Sequence, residues 1–227
     1  MLENSLIISY ATPNYTLANN YLATLHEIDF PESNICHFLD TNTTPSSDND
    51  CRFGTDFFYL ALKNRFKNLI NVLESNINNN IYQYFIACDC DIWFIKENKN
   101  KWNDLKVLID NGNKDFYFMR EDHYQDVNCG FFIIKNNANF IKNIDFLKDI
   151  YQNMITLDSK DMVYAEQSLI NKEKHKISYD YIPQEYYIWA NNLINKDMAL
   201  FHHPVCCDSV NTKQIQINNI KQRMQYS

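Results

Sequence analysis

The sequence predicts an α/β fold of the Rossmann-like kind, with a central, mainly parallel sheet flanked by helices. Strand-like apolar runs alternate along the chain with segments whose apolar residues recur every three to four positions, which is typical of βαβ units. The length of 227 residues suits one domain, and a composition of 45% hydrophobic and 22% charged residues is that of a globular protein. We therefore expect one domain over residues 1–210, followed by a polar C-terminal tail over residues 211–227.

The N-terminal elements are predicted to be a strand, a helix and a second strand. Ser5–Ala11 is an apolar run typical of a buried strand, and turn-forming residues follow it. Residues 15–28 then carry apolar side chains at helical spacing, and Asn34–Asp40 forms a second short apolar run. The polar, aperiodic segment Thr41–Asp50 predicts a loop, either a plain surface connection or a mobile lid.

The strongest helix signal lies in Asp56–Ser75, whose apolar residues keep the spacing of an amphipathic helix. A strand that ends at Asp89 follows this helix, and the alternation continues to the last third of the chain. The further predicted strands are Asp115–Met119, Cys129–Lys135, residues 177–182 and Met198–His203, and the further predicted helices are Phe140–Ile155 and Met162–Asn171.

The composition excludes several classes of partner and location. A formal net charge of -7 and a pI near 5.3 give no electrostatic support for binding nucleic acid. No apolar run approaches the roughly 20 residues of a membrane span, and the N-terminal residues lack the basic start and the cleavage site of a signal peptide. We expect a cytoplasmic protein whose odd number of cysteines, 7, are reduced thiols. Zinc is the alternative, with ligands from the pairs Cys88 and Cys90 and Cys206 and Cys207 and from His202 and His203. It is disfavoured because C-x-C and adjacent C-C pairs do not have the usual ligand spacing.

The apolar stretch YFIACDCDIWF, residues 84–94, contains two aspartates separated by a single residue. Alternate side chains of an extended chain share a face, so Asp89 and Asp91 point the same way and Cys90 points the other way. Two carboxylates on one face repel each other unless a cation lies between them, and Mg²⁺ or Mn²⁺ prefers such oxygen ligands. A solvated turn is the alternative, but ligands of α/β sheets bind beyond the carboxyl ends of the strands, which is where this motif lies.

Four motifs together resemble those of GT-A-type nucleotide-diphospho-sugar glycosyltransferases: YFIACDCDIWF, DVNCGFFIIKNN, AEQSLIN and ALFHHP, in the family order. The resemblance spans residues 5–204 and implies that residues 1–210 form a GT-A catalytic domain. It implies a hexosyl- or pentosyltransferase that takes a nucleotide diphosphate sugar, by preference a UDP-sugar. The acceptor would be a glycan, a protein or a small molecule, and the resemblance is nearest to enzymes that retain the anomeric configuration.

The resemblance also implies a divalent metal cofactor, Mn²⁺ or Mg²⁺. Asp91 would be a direct metal ligand, and Asp89 would bind the metal through water or hold the ribose or sugar of the donor. A histidine on a late strand supplies the third ligand in such families, and ALFHHP offers His202 and His203. Neighbouring side chains alternate faces, so one of the two points at the metal, and we favour His203 because it lies just before the turn.

Further donor contacts follow from the resemblance. Asn128 matches a residue that hydrogen bonds to sugar hydroxyls, Gly130 lets the backbone approach the donor closely, and Asp126 is placed to contact the sugar or the acceptor. Arg65 matches the position of a basic residue that contacts the donor, with Lys63 as the second choice. The residues expected near the nucleobase are Ala11, Thr12 and Tyr15, the last as a stacking ring.

The AEQSLIN motif departs from the family pattern because Glu166 stands where aspartate is usual. In a retaining enzyme, Glu166 and Gln167 would lie on the β-face of the sugar as catalytic residues, and Asn171 would be structural. An ordinary acidic residue at a helix N-terminus is the alternative for Glu166. An inverting enzyme would need a base within hydrogen-bond reach of the acceptor hydroxyl. The candidates for that base are Asp122, His123 and Asp126.

Two other functions stay open on the sequence alone. A non-catalytic protein that binds a nucleotide sugar or a glycan would share these motifs, and the Glu166 substitution is compatible with it. A phosphoaspartyl hydrolase also carries D-x-D at a strand end, with the first aspartate as nucleophile. That chemistry usually places the motif near the N-terminus, with a downstream lysine and acidic pair that this chain does not clearly present, so the glycosyltransferase is the leading hypothesis.

Overall fold

A computed structural model describes residues 2–13, 15–41, 55–121, 126–157, 165–193, 196–205, 207 and 209–226 of the chain. The loop predicted after Thr41, the candidate bases Asp122 and His123, and Cys206 lie outside these residues. Among the residues that are described, no helix has both the length and the apolar character that crossing a membrane requires.

Two sheets form the framework. In the described part of the chain the strands are β1 (Ser5–Ala11), β2 (Ile35–Leu39), β3 (Tyr84–Asp89), β4 (Trp93–Phe94), β5 (Phe116–Arg120), β6 (Val127–Lys135), β7 (Tyr179–Tyr181), β8 (Tyr187–Trp189) and β9 (Phe201–His203). The main sheet has the order β2-β1-β3-β6-β5-β7, and β6 runs antiparallel to the other five strands. The predicted, mainly parallel sheet is therefore confirmed. The small sheet has the order β4-β9-β8.

Helices cover both faces of the main sheet. They are α1 (Leu17–Glu27), α2 (Asp56–Ser75), α3 (Trp102–Asn111), α4 (Phe140–Thr156), α5 (Ala165–Glu173) and α6 (Val210–Tyr226). Alternate residues of β3 enter two separate cores: Ile86 and Cys88 pack with α1 and α3, whereas Phe85 and Ala87 pack with α2 and α4. A strand buried on both faces is continuously apolar, which is why β3 is easily predicted.

Four elements differ from the sequence-based expectation. The strands β4 and β8 are too short to show a period, and they form because both pair with β9. Helix α3 was not predicted either, although its Trp102 lies in the core. The predicted polar tail is instead α6, whose Ile217 and Ile220 are buried against Leu17 and Trp93. Because few other residues of α6 are apolar, its sequence shows no clear stripe.

The strand ends that carry the sequence motifs meet at one edge of the main sheet. β1 and β3 are parallel neighbours, with Tyr10 opposite Asp89 at their carboxyl ends. The short strand β4 follows β3 almost at once and pairs with β9, which brings His202 and His203 to the same region. The D-x-D motif therefore lies where an α/β sheet is expected to bind its ligands.

Candidate functional site

The centre of the site is a group of two carboxylates and one imidazole. Asp89 ends β3, Asp91 lies two residues later, and His203 ends β9. The Nε2 atom of His203 lies 3.7 Å from Oδ2 of Asp89 and 3.6 Å from Oδ1 of Asp91. One ligand atom from each of the three residues falls within 4.8 Å of the others. The structure thus brings together three residues that the sequence nominated as metal ligands.

His202 is turned away from this group. It pairs with Trp93 across the β4–β9 ladder, and its Nε2 lies 2.6 Å from the backbone oxygen of Ala190. Neighbouring residues of a strand face opposite sides, so β9 can direct one of its two histidines to the carboxylates. Of the two alternatives from the sequence, the geometry selects His203.

Burial and neighbouring charges raise the pKa of Asp89 and lower the pKa values of Asp91 and His203. Burial raises the pKa of Asp89 to about 7, against the opposing effect of the Arg65 guanidinium. Burial also favours the neutral form of Asp91, but the Lys213 ammonium outweighs it and lowers the pKa of that carboxyl. Burial lowers the pKa of His203 to about 4, so its imidazole is neutral at physiological pH. A neutral imidazole and an ionised carboxylate are the forms that bind metals.

The three residues fit a divalent metal. Oδ1 of Asp91 is buried and has no hydrogen-bond partner among the described residues, and a bound metal ion would satisfy this oxygen. The neighbouring strand leaves room for the cluster because it carries Gly130. A Cβ atom at Gly130 would lie 2.2 Å from Cε1 of His203 and 2.9 Å from Oδ2 of Asp89. The glycine is therefore required by the close approach of β6 to the candidate metal ligands.

Arg65 of α2 links the D-x-D motif to the start of α5. Its Nη2 lies 3.0 Å from Oδ1 of Asp89 and donates to the backbone oxygen of Cys129 at 2.8 Å, while Nη1 donates to Oε1 of Glu166 at 3.0 Å. Burial opposes the charge of this guanidinium, but the two carboxylates outweigh it and raise its pKa. Burial raises the pKa of Glu166 as well. Arg65 therefore contacts two carboxylates of the site, and its predicted contact with the donor remains a prediction, whereas Lys67 on the same helix is exposed.

A network of amide side chains lies beside the backbone of Gly130. Asn128 Nδ2 donates to Oε1 of Gln167 at 3.1 Å and to Oε2 of Glu121 at 3.0 Å. Oδ1 of Asn128 accepts from the N–H of Gly130 at 2.9 Å. Asp126 lies apart from this network: its side chain is 54% exposed and pairs with Lys174 at 3.3 Å. Asn128, predicted as a donor contact, and Gln167, predicted as a catalytic residue, are therefore neighbours, whereas the side-chain pairing of Asp126 in the described part of the chain is with Lys174.

Lys213 is a site residue that the sequence did not indicate. Its Nζ forms an ion pair with Oδ2 of Asp91 and lies 3.4 Å from the hydroxyl of Tyr15. Burial opposes the charge of this ammonium, but Asp91 outweighs it and raises its pKa. The Tyr15 hydroxyl also donates to Oδ2 of Asp91, at 3.2 Å. Lys213 lies 122 positions from Asp91 in a polar segment, so no local pattern could have marked it.

The nucleobase positions lie at the end of β1. Ala11 and Thr12 are buried, and their backbone oxygens accept from the N–H groups of Asp40 and Tyr15, both at 3.0 Å. The roles predicted for Ala11, Thr12 and the Tyr15 ring remain predictions.

Comparison with known families agrees with this geometry. Residues 23–219 match the family model for nucleotide-diphospho-sugar transferases. The matched range contains the two aspartates, Arg65, His203 and Lys213. This chain belongs to that family. Among curated proteins, a sequence search finds no match to the transferase. The family match sets aside the phosphoaspartyl hydrolase that D-x-D alone also allowed.

Solved glycosyltransferases share the fold of the transferase. One is a glycosyltransferase involved in the glycosylation of the major capsid of PBCV-1, with a TM-score of 0.64 and 12% identity over 94% of this chain and 98% of that one. GlyE of Streptococcus pneumoniae TIGR4 has a TM-score of 0.54 and 12% identity over 95% of this chain and 60% of that one. Mouse xyloside xylosyltransferase 1 has a TM-score of 0.52 and 8% identity over 89% of this chain and 98% of that one. These likenesses show the GT-A fold of the transferase.

Proposed function

We propose that the transferase moves a sugar from a nucleotide diphosphate donor, a UDP-sugar by preference, to the hydroxyl of a glycan, protein or small-molecule acceptor. One observation carries the proposal. The Asp89–Asp91–His203 group lies between two cations, because Arg65 contacts Asp89 and Lys213 contacts Asp91. Alternating positive and negative groups of this kind suit a metal–diphosphate pair, whose own charges alternate in the same way.

The donor atoms favour Mn²⁺ over Mg²⁺ as the cofactor. Mg²⁺ prefers an all-oxygen shell, whereas Mn²⁺ also accepts an imidazole beside carboxylates. Asp91 and His203 would hold the ion, with Asp89 as the third ligand or as a contact to the donor. When bound, the ion would stabilise the negative charge that builds on the departing nucleoside diphosphate.

The protein's own cations would complete the binding of the diphosphate. Lys213 is positioned so that its ammonium, now paired with Asp91, can turn to a phosphate oxygen next to the metal. Arg65 instead stays fixed by three acceptors and holds Asp89 and Glu166 in place. We therefore assign phosphate binding to Lys213 and positioning to Arg65.

The amide network would face the sugar. In the transfer, the bond from the anomeric carbon to the diphosphate oxygen breaks, a bond to the acceptor oxygen forms, and the acceptor proton leaves to the phosphate. Asn128 would bind sugar hydroxyls, and Gln167 and Glu166 would line the face on which the acceptor enters. Of the described carboxylates, Glu166 is paired with Arg65 and Asp126 with Lys174. This pairing is compatible with retention, which the motifs favour.

The test is release of nucleoside diphosphate from a panel of UDP- and GDP-linked hexoses and pentoses, with Mn²⁺, Mg²⁺ or EDTA. Asp91→Asn is compared with Asp104→Asn, which makes the same change at a carboxylate that is 52% exposed. We expect release that needs the metal, that falls by about 100-fold or more in Asp91→Asn and that is unchanged in Asp104→Asn. NMR of the first anomer formed then distinguishes retention from inversion.

The other outcomes are equally decisive. Metal-dependent UDP binding with no turnover on any donor would favour the non-catalytic binding protein. Neither binding nor turnover would contradict the assignment of the D-x-D motif to a metal–diphosphate site.

A further inference from the structure

Glu121 lies immediately after β5, opposite the start of β6. The pairing of β5 with β6 shifts register between Phe118 and Met119, so that Met119 lies opposite Asn128. Such irregularities re-aim the side chains that follow them. The N–H of Glu121 donates to the backbone oxygen of Asp126 at 2.8 Å, which fixes this residue against the segment that leads into β6.

The carboxylate of Glu121 is the acceptor on which two amide side chains converge. Its Oε2 accepts from Nε2 of Gln167 at 2.8 Å and from Nδ2 of Asn128 at 3.0 Å. Hydrogen bonds to an ionised carboxylate are about twice as strong as those between neutral groups. Of the contacts that hold the two amides, these are therefore the strongest.

The rest of the network depends on the same orientation of the amides. Oε1 of Gln167 accepts from Nδ2 of Asn128 at 3.1 Å and from the N–H of Cys129 at 3.2 Å, and Oδ1 of Asn128 accepts from the N–H of Gly130. A half-turn of either amide would place a carbonyl oxygen against the carboxylate and an NH₂ group against a backbone N–H. Both contacts would be repulsive, so one orientation of each amide is allowed.

We infer that Glu121 is a positioning residue that fixes which end of the Asn128 and Gln167 amides faces the donor sugar. Asn128 donates one N–H to Glu121 and the other to Gln167, whereas Gln167 donates one N–H to Glu121 and keeps its second N–H outside this network. That N–H is then directed to donate a hydrogen bond to an oxygen of the sugar or the acceptor. The consequence for transfer rests on the proposed function, but the orientation itself does not.

The first test measures orientation on the protein alone. Side-chain amide signals of Asn128 and Gln167, identified by their loss in Asn128→Leu and Gln167→Leu, are followed by NMR in three variants. Glu121→Met has a similar length and no acceptor, Glu121→Gln keeps a neutral acceptor, and Glu97→Met removes an exposed carboxylate elsewhere. We expect both amides to shift and to exchange about tenfold or more faster in Glu121→Met, and to keep near-native signals in Glu121→Gln and Glu97→Met. Unchanged signals in a folded Glu121→Met would overturn the inference.

The second test uses the donor found in the panel. A positioning role predicts a kcat lower by about 10- to 100-fold in Glu121→Met, with the KM for the donor changed by less than about threefold and with most of kcat restored in Glu121→Gln. Equal loss of kcat in both variants would show that the negative charge acts on the reacting atoms, and it would overturn the positioning role. If no donor reacts with the wild type, the proposed function fails, and the amide signals still decide the orientation.

Discussion

Replacing Gly130 by alanine tests the candidate metal centre most directly. The added Cβ would lie 2.2 Å from Cε1 and 2.8 Å from Nε2 of His203, and 2.9 Å from Oδ2 of Asp89. Contacts between carbon atoms are normally about 3.5–4.0 Å, so the imidazole has to retreat by more than about 1 Å. Overpacking of this kind costs about 1–3 kcal/mol, and in a domain of this size it lowers Tm by roughly 2–12 °C.

The same displacement removes His203 from the metal. Because even the loss of a residue that only supports a ligand weakens metal binding by about 10- to 100-fold, we expect Gly130→Ala to lose at least about that much affinity for Mn²⁺. Titration with Mn²⁺ followed by electron paramagnetic resonance measures the affinity, and scanning calorimetry measures Tm.

Gly112 supplies a matched control. A Cβ atom there would lie 2.1 Å from the hydroxyl of Tyr117, so Gly112→Ala introduces a similar clash outside the metal-ligand group. It should lower Tm and leave Mn²⁺ affinity unchanged. The reasoning is refuted if Gly130→Ala binds Mn²⁺ as the wild type does, or if Gly112→Ala loses the same affinity.

Three further outcomes follow from the charges of the site. Arg65→Met leaves the buried carboxylate of Glu166 and the half-buried carboxylate of Asp89 without their cation. It should lower the free energy of unfolding by about 3–5 kcal/mol, mainly through the buried Glu166 pair, and a loss below about 1 kcal/mol in urea titration would contradict this reading. Lys213→Met removes a cation that competes with the metal for Asp91, so Mn²⁺ should bind about tenfold more tightly in the absence of nucleotide. UDP should bind the Mn²⁺-loaded variant more weakly than it binds the Mn²⁺-loaded wild type. Calorimetric titration measures both affinities, and no change in either would contradict the role of Lys213. Because the pKa of Asp89 is raised to about 7, this carboxyl is neutral below that pH. The affinity for Mn²⁺ should therefore fall by about tenfold per pH unit as the pH decreases below 7. An affinity independent of pH, or the same pH dependence in Asp89→Asn, would be evidence against Asp89 as the titrating metal ligand.

The main elements of the fold are readable from sequence for a physical reason. β1, β3 and β6 are buried on both faces, so they appear as nearly continuous apolar runs, and the long helices α2 and α4 carry full amphipathic stripes. The strands β4 and β8 and the helix α6 have no such local signal. They are stabilised by partners far away in sequence, such as the buried contacts of Ile217 and Ile220.

The residues of the candidate site also fall into those that a local sequence pattern indicates and those that only the packing of distant elements brings together. The two-residue alternation of a strand and the rule on strand ends locate Asp89 and Asp91 together, and alternation also limits the histidine ligand to one of two neighbours. The choice of His203 comes from how β9 pairs with β4. Asn128 and Gln167 come from a motif, whereas the role of Glu121 comes from a change of register between β5 and β6.

By itself, the sequence determined the α/β class, the position of the D-x-D motif at a strand end and the short set of polar residues that belong near it. The tertiary structure alone decided that Lys213 pairs with Asp91 and that Glu121 holds two amides. The physical reason is range: side-chain alternation and helical period act over a few residues and are visible in the sequence, but a contact across 122 positions depends on how whole elements pack.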